Sequence, residues 1–241
     1  MWCVSLVALL LLSIPTIVCL RNSVTALEPI FLLPPVTPTY FFSISGQNDG
    51  ESVNVLSCVG ARTNHPFAAR VEFCQADRLL GGRMLTGVET PVLIDTSQVP
   101  AGLQTITARF YTLIGNLVGS ASVTALVQHP TLDAQLEIKP DLSRVIQLNV
   151  TPTIGATSYA VLARADSSTT YSSTYGIWSP IQLDNAMVLG QGSFLTPSTG
   201  APITANPVVP SSVHGVTWNI AVLVLVDGKW RSSIVRSVYL P

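Results

Sequence analysis

Charged side chains are scarce in this chain: 12 Lys and Arg and 13 Asp and Glu make up only 10% of its 241 residues. The basic residues are scattered singly and the formal net charge is -1, so the sequence has no basic stripe for a nucleic-acid backbone. Histidine is rarer still. His65, His129 and His214 each lie in a predicted turn, without the spacing of a metal motif. We therefore expect surface histidines, no metal site, no cofactor and no nucleic-acid partner.

Long apolar runs are missing after residue 27, but one precedes it. Trp2 to Leu20 carries no charge, and Val24 and Ala26 are the small residues that a signal peptidase requires. We therefore predict a signal peptide over residues 1–26 and a secreted or cell-surface protein. An uncleaved membrane anchor is the alternative, because the run is close to spanning length.

A sustained apolar period of 3.6 residues is also missing after residue 27. Short runs of period two, rich in Val, Ile, Thr and Tyr, recur between Gly, Pro, Ser and Asn instead. This pattern predicts an all-β protein of two tandem antiparallel β-sandwiches, with nearly no helix outside the signal segment. The alternation breaks near 128–135, which predicts one domain over 27–128 and a second over 129–241.

The stretch "IDTSQVPAGLQTITARF" (94–110) predicts a strand, a corner between two sheets and a second strand. The carboxylate of Asp95 can accept nearby backbone N–H groups and fix the corner. Pro100 and Gly102 then turn the chain. Alternation continues through a turn at Gly115, so a hairpin with one buried face follows.

The first half resembles the bacterial-type immunoglobulin-like domains of exported surface proteins and secreted glycosidases, over about residues 50–128. The stretches "ARVEFCQADRLLGG" and "TPVLIDTSQVPAGLQTITARFYTLIGNLVGSASVTALV" carry the resemblance. It implies a sandwich whose matching residues shape turns and core, so no catalytic residue is implied. The matching residues are Val71, Phe73, Leu80, Gly81, Asp95, Pro100, Gly102, Thr105, Thr107, Ala108 and Arg109.

Two cysteines remain beyond the predicted signal peptide, Cys58 and Cys74. An even pair in an exported protein invites a disulfide, and two free thiols are the alternative. The resemblance implies that Val71 and Phe73 point into the core, so Cys74 points outward on the same strand. If Val59 points inward on the earlier strand, Cys58 points outward too, and the two strands belong to opposite sheets. Facing sheets lie about 10 Å apart, beyond the reach of a disulfide, unless a bulge shifts the strand phase.

The second half resembles a fibronectin type III domain, over about residues 135–241. The stretches "LNVTPTIGATSYAVLARA" and "TWNIAVLVLVDGKWRSSIVRSVYLP" carry this resemblance. The run 216–226 is apolar on both faces, which predicts a central strand, and Asp227 to Lys229 form a tight hairpin turn. The Gly- and Pro-rich middle, 175–212, predicts an extended loop over part of its length.

Three aromatic residues, Tyr171, Tyr175 and Trp178, cluster near this middle segment. Exposed aromatic rings stack on sugars or anchor protein partners, whereas the alternative packs Trp178 into the core. Asn149 begins a glycosylation sequon. No local pair of acids suggests glycosidase chemistry.

These features predict a non-catalytic, secreted or cell-surface adhesion or scaffold protein, whose partner is an unknown protein or glycan. The alternative is a carbohydrate-binding accessory protein that stacks sugars on the three aromatic residues. An exposed, roughly coplanar set of rings would favour that alternative. A degenerate enzyme ranks third.

Overall fold

The structure is a computed structural model that describes residues 39–241. The predicted signal peptide, 1–26, lies outside the described residues, as does the proline-rich segment 27–38. Residues Thr39–Pro241 form one compact unit. Its strands are β1 (Phe42–Ser45), β2 (Glu51–Val53), β3 (Leu56–Thr63), β4 (Arg70–Gln75), β5 (Arg78–Met84), β6 (Glu89–Asp95), β7 (Gly102–Tyr111), β8 (Leu117–Val127), β9 (Thr131–Ile138), β10 (Arg144–Thr151), β11 (Ser158–Arg164), β12 (Thr170–Ser172), β13 (Ile177–Ser179), β14 (Met187–Ser193), β15 (Ile203–Ala205), β16 (Val208–Val209), β17 (Val216–Val226), β18 (Lys229–Ser232) and β19 (Arg236–Leu240).

The predicted all-β class is confirmed. One turn of 3-10 helix, η1 (Leu183–Asn185), is the single helical element of residues 39–241. Within the same residues there is no helix long and apolar enough to cross a membrane.

The first sandwich packs two sheets around one core. One sheet contains β1, β3 and β6, and the other follows the order β2-β8-β7-β4-β5. All these pairings are antiparallel except that of β2 with β8. The first core draws on both sheets and comprises Val53, Val59, Ala61, Val71, Phe73, Leu80, Val92, Ile94, Val99, Ile106, Ala108, Phe110, Val123, Ala125 and Val127.

The predicted corner and hairpin of the first sandwich are confirmed. The backbone N–H of Ser97 donates to the Asp95 carboxylate at 2.8 Å, directly after β6. Gly102 has a φ of 109°, a backbone conformation that residues other than glycine rarely adopt. The chain then enters β7 in the opposite sheet, and β7 pairs with β8 in the register Ile106 to Val123.

The second sandwich has the same two-layer plan. One sheet places β9, β15 and β16 beside β10, and the other follows the order β14-β11-β17-β18, with β19 also beside β17. Its inner face is lined by the predicted residues of β17, including Trp218, Ile220 and Val222. The turn to β18 is built as predicted, with positive φ at Asp227 and Gly228.

A third core covers the outer face of the second sandwich and explains why β17 is apolar on both faces. Leu162 of β11 and Leu223 of β17 pack there against Ile177, Ile181 and Leu183. The segment 170–186, which we call the strap, supplies the last three residues. Part of the predicted extended loop is therefore strand and core, because its apolar residues cover an otherwise exposed sheet face.

The strap also reaches the first sandwich. Its strand β13 pairs with the start of β3, where Trp178 lies opposite Leu56. Its hairpin partner β12 is therefore the outer strand of the same sheet. The domain boundaries at 27–128 and 129–241 stay a prediction, since one sheet contains strands from both sides.

Candidate functional site

A cavity of about 500 Å³ lies where the strap, the start of the first sandwich and the edge of the second sandwich meet. We call it the junction cleft. Its size falls within the range of small-molecule sites. Its lining comprises Gly46, Gln47, Glu51, Ser52, Asn54, Leu56, Ser57, Cys58, Tyr171, Tyr175, Gly176, Ile177, Trp178, Gly228, Lys229, Trp230 and Arg231.

All three aromatic residues singled out in the sequence line the junction cleft, together with Trp230. The Tyr171 and Trp178 rings have centroids 5.7 Å apart and planes inclined at 60°. The Tyr175 and Trp230 rings meet edge to face, at 5.4 Å and 89°. The rings form the walls of a cleft and are not the coplanar platform that would favour flat stacking of a sugar chain.

Trp178 is half-buried and belongs to none of the three cores, whereas Tyr171 is 54% exposed. Tyr175 and Trp230 each pack one side against the third core. Tyr175 and Trp230 are therefore supported by the third core, whereas Tyr171 and Trp178 lie outside the cores and line the cavity.

Local hydrogen bonds hold the strap in place. The Gly176 N–H donates to the Ser172 carbonyl at 2.9 Å, which closes the turn between β12 and β13. The Ser172 hydroxyl donates to the Asp184 carboxylate at 2.5 Å, and this bond lowers the pKa of Asp184. Together with the burial of Ile181, these contacts fix the position of Tyr171 relative to the third core.

The junction cleft contains one carboxylate, and that carboxylate is paired. Lys229 Nζ lies 2.7 Å from Glu51 Oε1. The hydrogen bond from Lys229 lowers the pKa of Glu51, so the carboxylate is held ionised. A general acid needs the opposite shift, and glycoside hydrolysis needs a second carboxyl group.

Arg231 is the second cation of the junction cleft, and it is only 8% exposed. Its Nε is buried and has no hydrogen-bond partner in the part of the chain that the structure describes. Within residues 39–241 no carboxylate lies within ion-pair distance of its guanidinium. Burial lowers the pKa of Arg231. A buried cation without a partner is costly, by several kcal/mol in typical proteins.

Asn54 joins the two sandwiches behind the junction cleft. Its Nδ2 donates to the Trp230 carbonyl at 3.0 Å, and its Oδ1 accepts from the Ser232 N–H at 2.8 Å. Beside it, the Thr96 hydroxyl lies 3.0 Å from Nε2 of His129. The two hydrogen bonds of Asn54 satisfy backbone groups at the edge of β18 that would otherwise be unpaired.

The expectation that all three histidines are surface residues is wrong for His129. It lies in the short connection from β8 to β9 and is half-buried beside Thr96, and its buried Nδ1 has no hydrogen-bond partner among the described residues. Burial lowers the pKa of His129, because the charged imidazolium is disfavoured there. His214 is exposed and His65 is half-buried.

Cys58 and Cys74 are both free, so the disulfide left open by the sequence is not formed. The physical reason is the predicted one: β3 and β4 lie in different sheets. Cys58 is exposed and lines the junction cleft. Cys74 lies beside Thr107 on the outer face of its sheet, but it is buried, at 4% exposure.

The different burial of the two thiols has a direct consequence for their reactivity. We expect Cys58 to react with a maleimide or with Ellman's reagent in the native fragment 39–241, and Cys74 to react only after unfolding. Burial raises the pKa of Cys74, which further lowers the fraction of reactive thiolate. Peptide mapping after brief labelling checks this. Equal labelling of both thiols, or of neither, would contradict the described burial.

Asn149 lies on β10 with its side chain exposed. Its predicted glycosylation stays a prediction. No group of three or more His, Cys, Asp or Glu that could hold a metal ion is found in residues 39–241.

Neither the known protein families nor the curated proteins contain a match to this sequence. Solved structures do match, at low identity. The fibronectin(III)-like modules of Clostridium thermocellum CbhA are 14% identical, over 82% of this chain and 92% of that chain, with a TM-score of 0.31. The N-terminal Ig1-2 module of the Drosophila receptor protein tyrosine phosphatase DLAR is 9% identical, over 83% and 98%, with a TM-score of 0.28. Bovine butyrophilin is 11% identical, over 83% and 99%, with a TM-score of 0.27.

The first of these structures is described as fibronectin(III)-like and the second as an Ig module. Their TM-scores are below 0.5, so they carry no argument about what this chain binds.

Proposed function

We propose that the protein is a non-catalytic extracellular adhesion or scaffold module. The observation that carries the proposal is the joining of the two sandwiches: strand β13 pairs with β3, and Asn54 hydrogen-bonds to β18. A pair of domains joined by backbone pairing presents its surfaces at a fixed geometry, which suits adhesion and spacing. The predicted signal peptide at 1–26 supports an extracellular location.

The charges of the junction cleft support the non-catalytic part of this proposal. Glu51 is the single carboxylate among the residues that line the cleft, and it is ionised by its ion pair with Lys229. It therefore cannot donate a proton, and the lining has no second carboxyl group to act with it in glycoside hydrolysis.

The adhesion proposal is tested with beads coated with fragment 39–241, which carries all three cores. We expect the beads to attach to cells of the source organism, and soluble fragment to compete for attachment. Attachment no greater than that of beads coated with the urea-unfolded fragment would contradict an adhesive role.

A second candidate function is carbohydrate binding in the junction cleft. The observation that favours it is the convergence of Tyr171, Tyr175 and Trp178 with Trp230 on one open cavity, whose volume of about 500 Å³ is typical of small-molecule sites. Aromatic faces stack on the apolar face of a sugar ring, and Tyr171, which is 54% exposed, offers such a face at the cleft.

A glycan array probed with fragment 39–241 tests this second candidate. We expect binding that is lost in Tyr171→Ala and in Trp178→Ala, but kept in Tyr239→Ala, an exposed tyrosine of similar accessibility outside the cleft. Binding that survives both cleft substitutions would place the carbohydrate elsewhere. No binding to any glycan would reject the candidate and direct the search to protein partners.

A further inference from the structure

Arg231 is a buried cation that the described part of the chain leaves without an anionic partner. Its Nε makes no hydrogen bond to any residue of 39–241, and the carboxylate of the cleft, Glu51, is already held by Lys229 at 2.7 Å. Asp227, at the turn before β18, influences Arg231 only from beyond ion-pair distance. A buried guanidinium of this kind is stabilised most strongly by a carboxylate, which can accept two parallel N–H bonds.

The lining of the junction cleft carries a net positive charge. Its charged residues are one acid, Glu51, and two bases, Lys229 and Arg231. Because Glu51 is paired with Lys229, the positive charge of Arg231 is not balanced by any other lining residue. An anionic ligand is therefore favoured over a neutral or cationic one.

The other features of the junction cleft specify what the anion must be attached to. The aromatic walls offer faces for a ring, and the polar residues Gln47 and Ser52 offer partners for hydroxyl groups. A sugar ring that bears a carboxylate combines all three properties: an apolar face, hydroxyl groups and a negative charge.

We propose that the junction cleft binds acidic sugars, such as uronic or sialic acids, with Arg231 as the partner of the carboxylate and Tyr171 and Trp178 as the stacking walls. This inference rests on the carbohydrate-binding candidate above and narrows it to one class of glycan.

The first test uses the unaltered fragment 39–241 on paired glycans. The array carries oligosaccharides ending in glucuronic, galacturonic or sialic acid, each beside the same oligosaccharide with its carboxylate reduced to the alcohol. We expect at least one acidic glycan to bind, and its reduced form to bind at least ten-fold more weakly. Equal binding of both forms would overturn the role of the carboxylate but leave carbohydrate binding standing. No binding to either form would overturn both.

The second test uses substitutions. Arg231→Met should abolish the preference for the acidic form while leaving the urea midpoint of unfolding of fragment 39–241 unchanged or higher, because it removes a buried charge that has no partner among those residues. The control Arg83→Met removes an exposed charge outside the cleft and should leave binding unchanged. A large fall in the urea midpoint of Arg231→Met would show that Arg231 stabilises the free fragment through a partner. That result would overturn the proposal, which requires the guanidinium to be unpaired before the glycan binds.

Cys58 reports where the acidic glycan binds. Because its exposed thiol lines the junction cleft, a bound glycan should slow its alkylation several-fold in the unaltered fragment. An unchanged rate under saturating acidic glycan would place the binding outside the cleft and overturn the proposal.

Discussion

Replacing Ile181 by alanine is expected to lower the free energy of unfolding of fragment 39–241 by about 2–5 kcal/mol. Ile181 is fully buried in the third core, where it packs with Leu162 and Leu223 on the outer face of the second sandwich. The substitution removes apolar contacts and leaves a cavity. Urea unfolding followed by circular dichroism measures the change.

The strap carries Tyr171, Tyr175 and Trp178, three of the aromatic residues that line the junction cleft. Ile181→Ala should therefore also affect the cleft. We expect weaker protection of the strap amides in hydrogen exchange, including that of Trp178 opposite Leu56. Ile154→Ala is the matched control, because Ile154 is 66% exposed and its loss should change stability by no more than about 0.5 kcal/mol. Equal effects of the two substitutions would show that the strap is not held by the third core.

The other large expected effect is in the first sandwich. Phe110→Ala should lower the free energy of unfolding by about 3–5 kcal/mol. Phe110 is fully buried between the two sheets, and its ring lies 5.1 Å from that of Phe42. Urea unfolding of the fragment and of the variant, compared under the same conditions, measures the loss in free energy of unfolding.

The control for this substitution is Phe67→Ala, since Phe67 is 71% exposed in the loop between β3 and β4. It removes the same side chain at the surface, and its expected effect is no more than about 0.5 kcal/mol. A loss of similar size in both variants would contradict the position of Phe110 in the core.

Much of the fold could be predicted from the sequence, because period-two alternation assigns a buried face to each long strand. The inward set of β7, the corner at Asp95 and the turn at Gly228 all follow from local chemistry, and the structure confirms them. Likewise, the two apolar faces of β17 correctly indicated a central strand.

The strap could not be predicted in the same way. Strands β12 and β13 have three residues each, too few for a period to emerge. The pairing of Trp178 with Leu56 joins residues far apart in the chain, and alternation says which side of a strand is buried, not which strand lies beside it.

The sequence predicts only part of the candidate site, because alternation does not show which strands lie next to each other. Three of its four aromatic residues stand close together in the sequence and were identified there. Trp230 and Arg231 were missed, although Trp230 follows the predicted turn at Gly228 directly. Alternation likewise indicated the outer face for Cys74, but it does not reveal that other side chains cover this thiol.

The two sandwiches are joined into one unit, and their joining creates the junction cleft. Tryptophan fluorescence tests it, because after Trp178→Phe the remaining tryptophans of the fragment, Trp218 and Trp230, belong to the second sandwich. In this background, Phe110→Ala weakens only the first core. If the sandwiches unfold together, the urea midpoint seen by fluorescence should fall by about 1–2 M. A fluorescence midpoint that stays in place while circular dichroism shows the first sandwich unfolding earlier would contradict the claim.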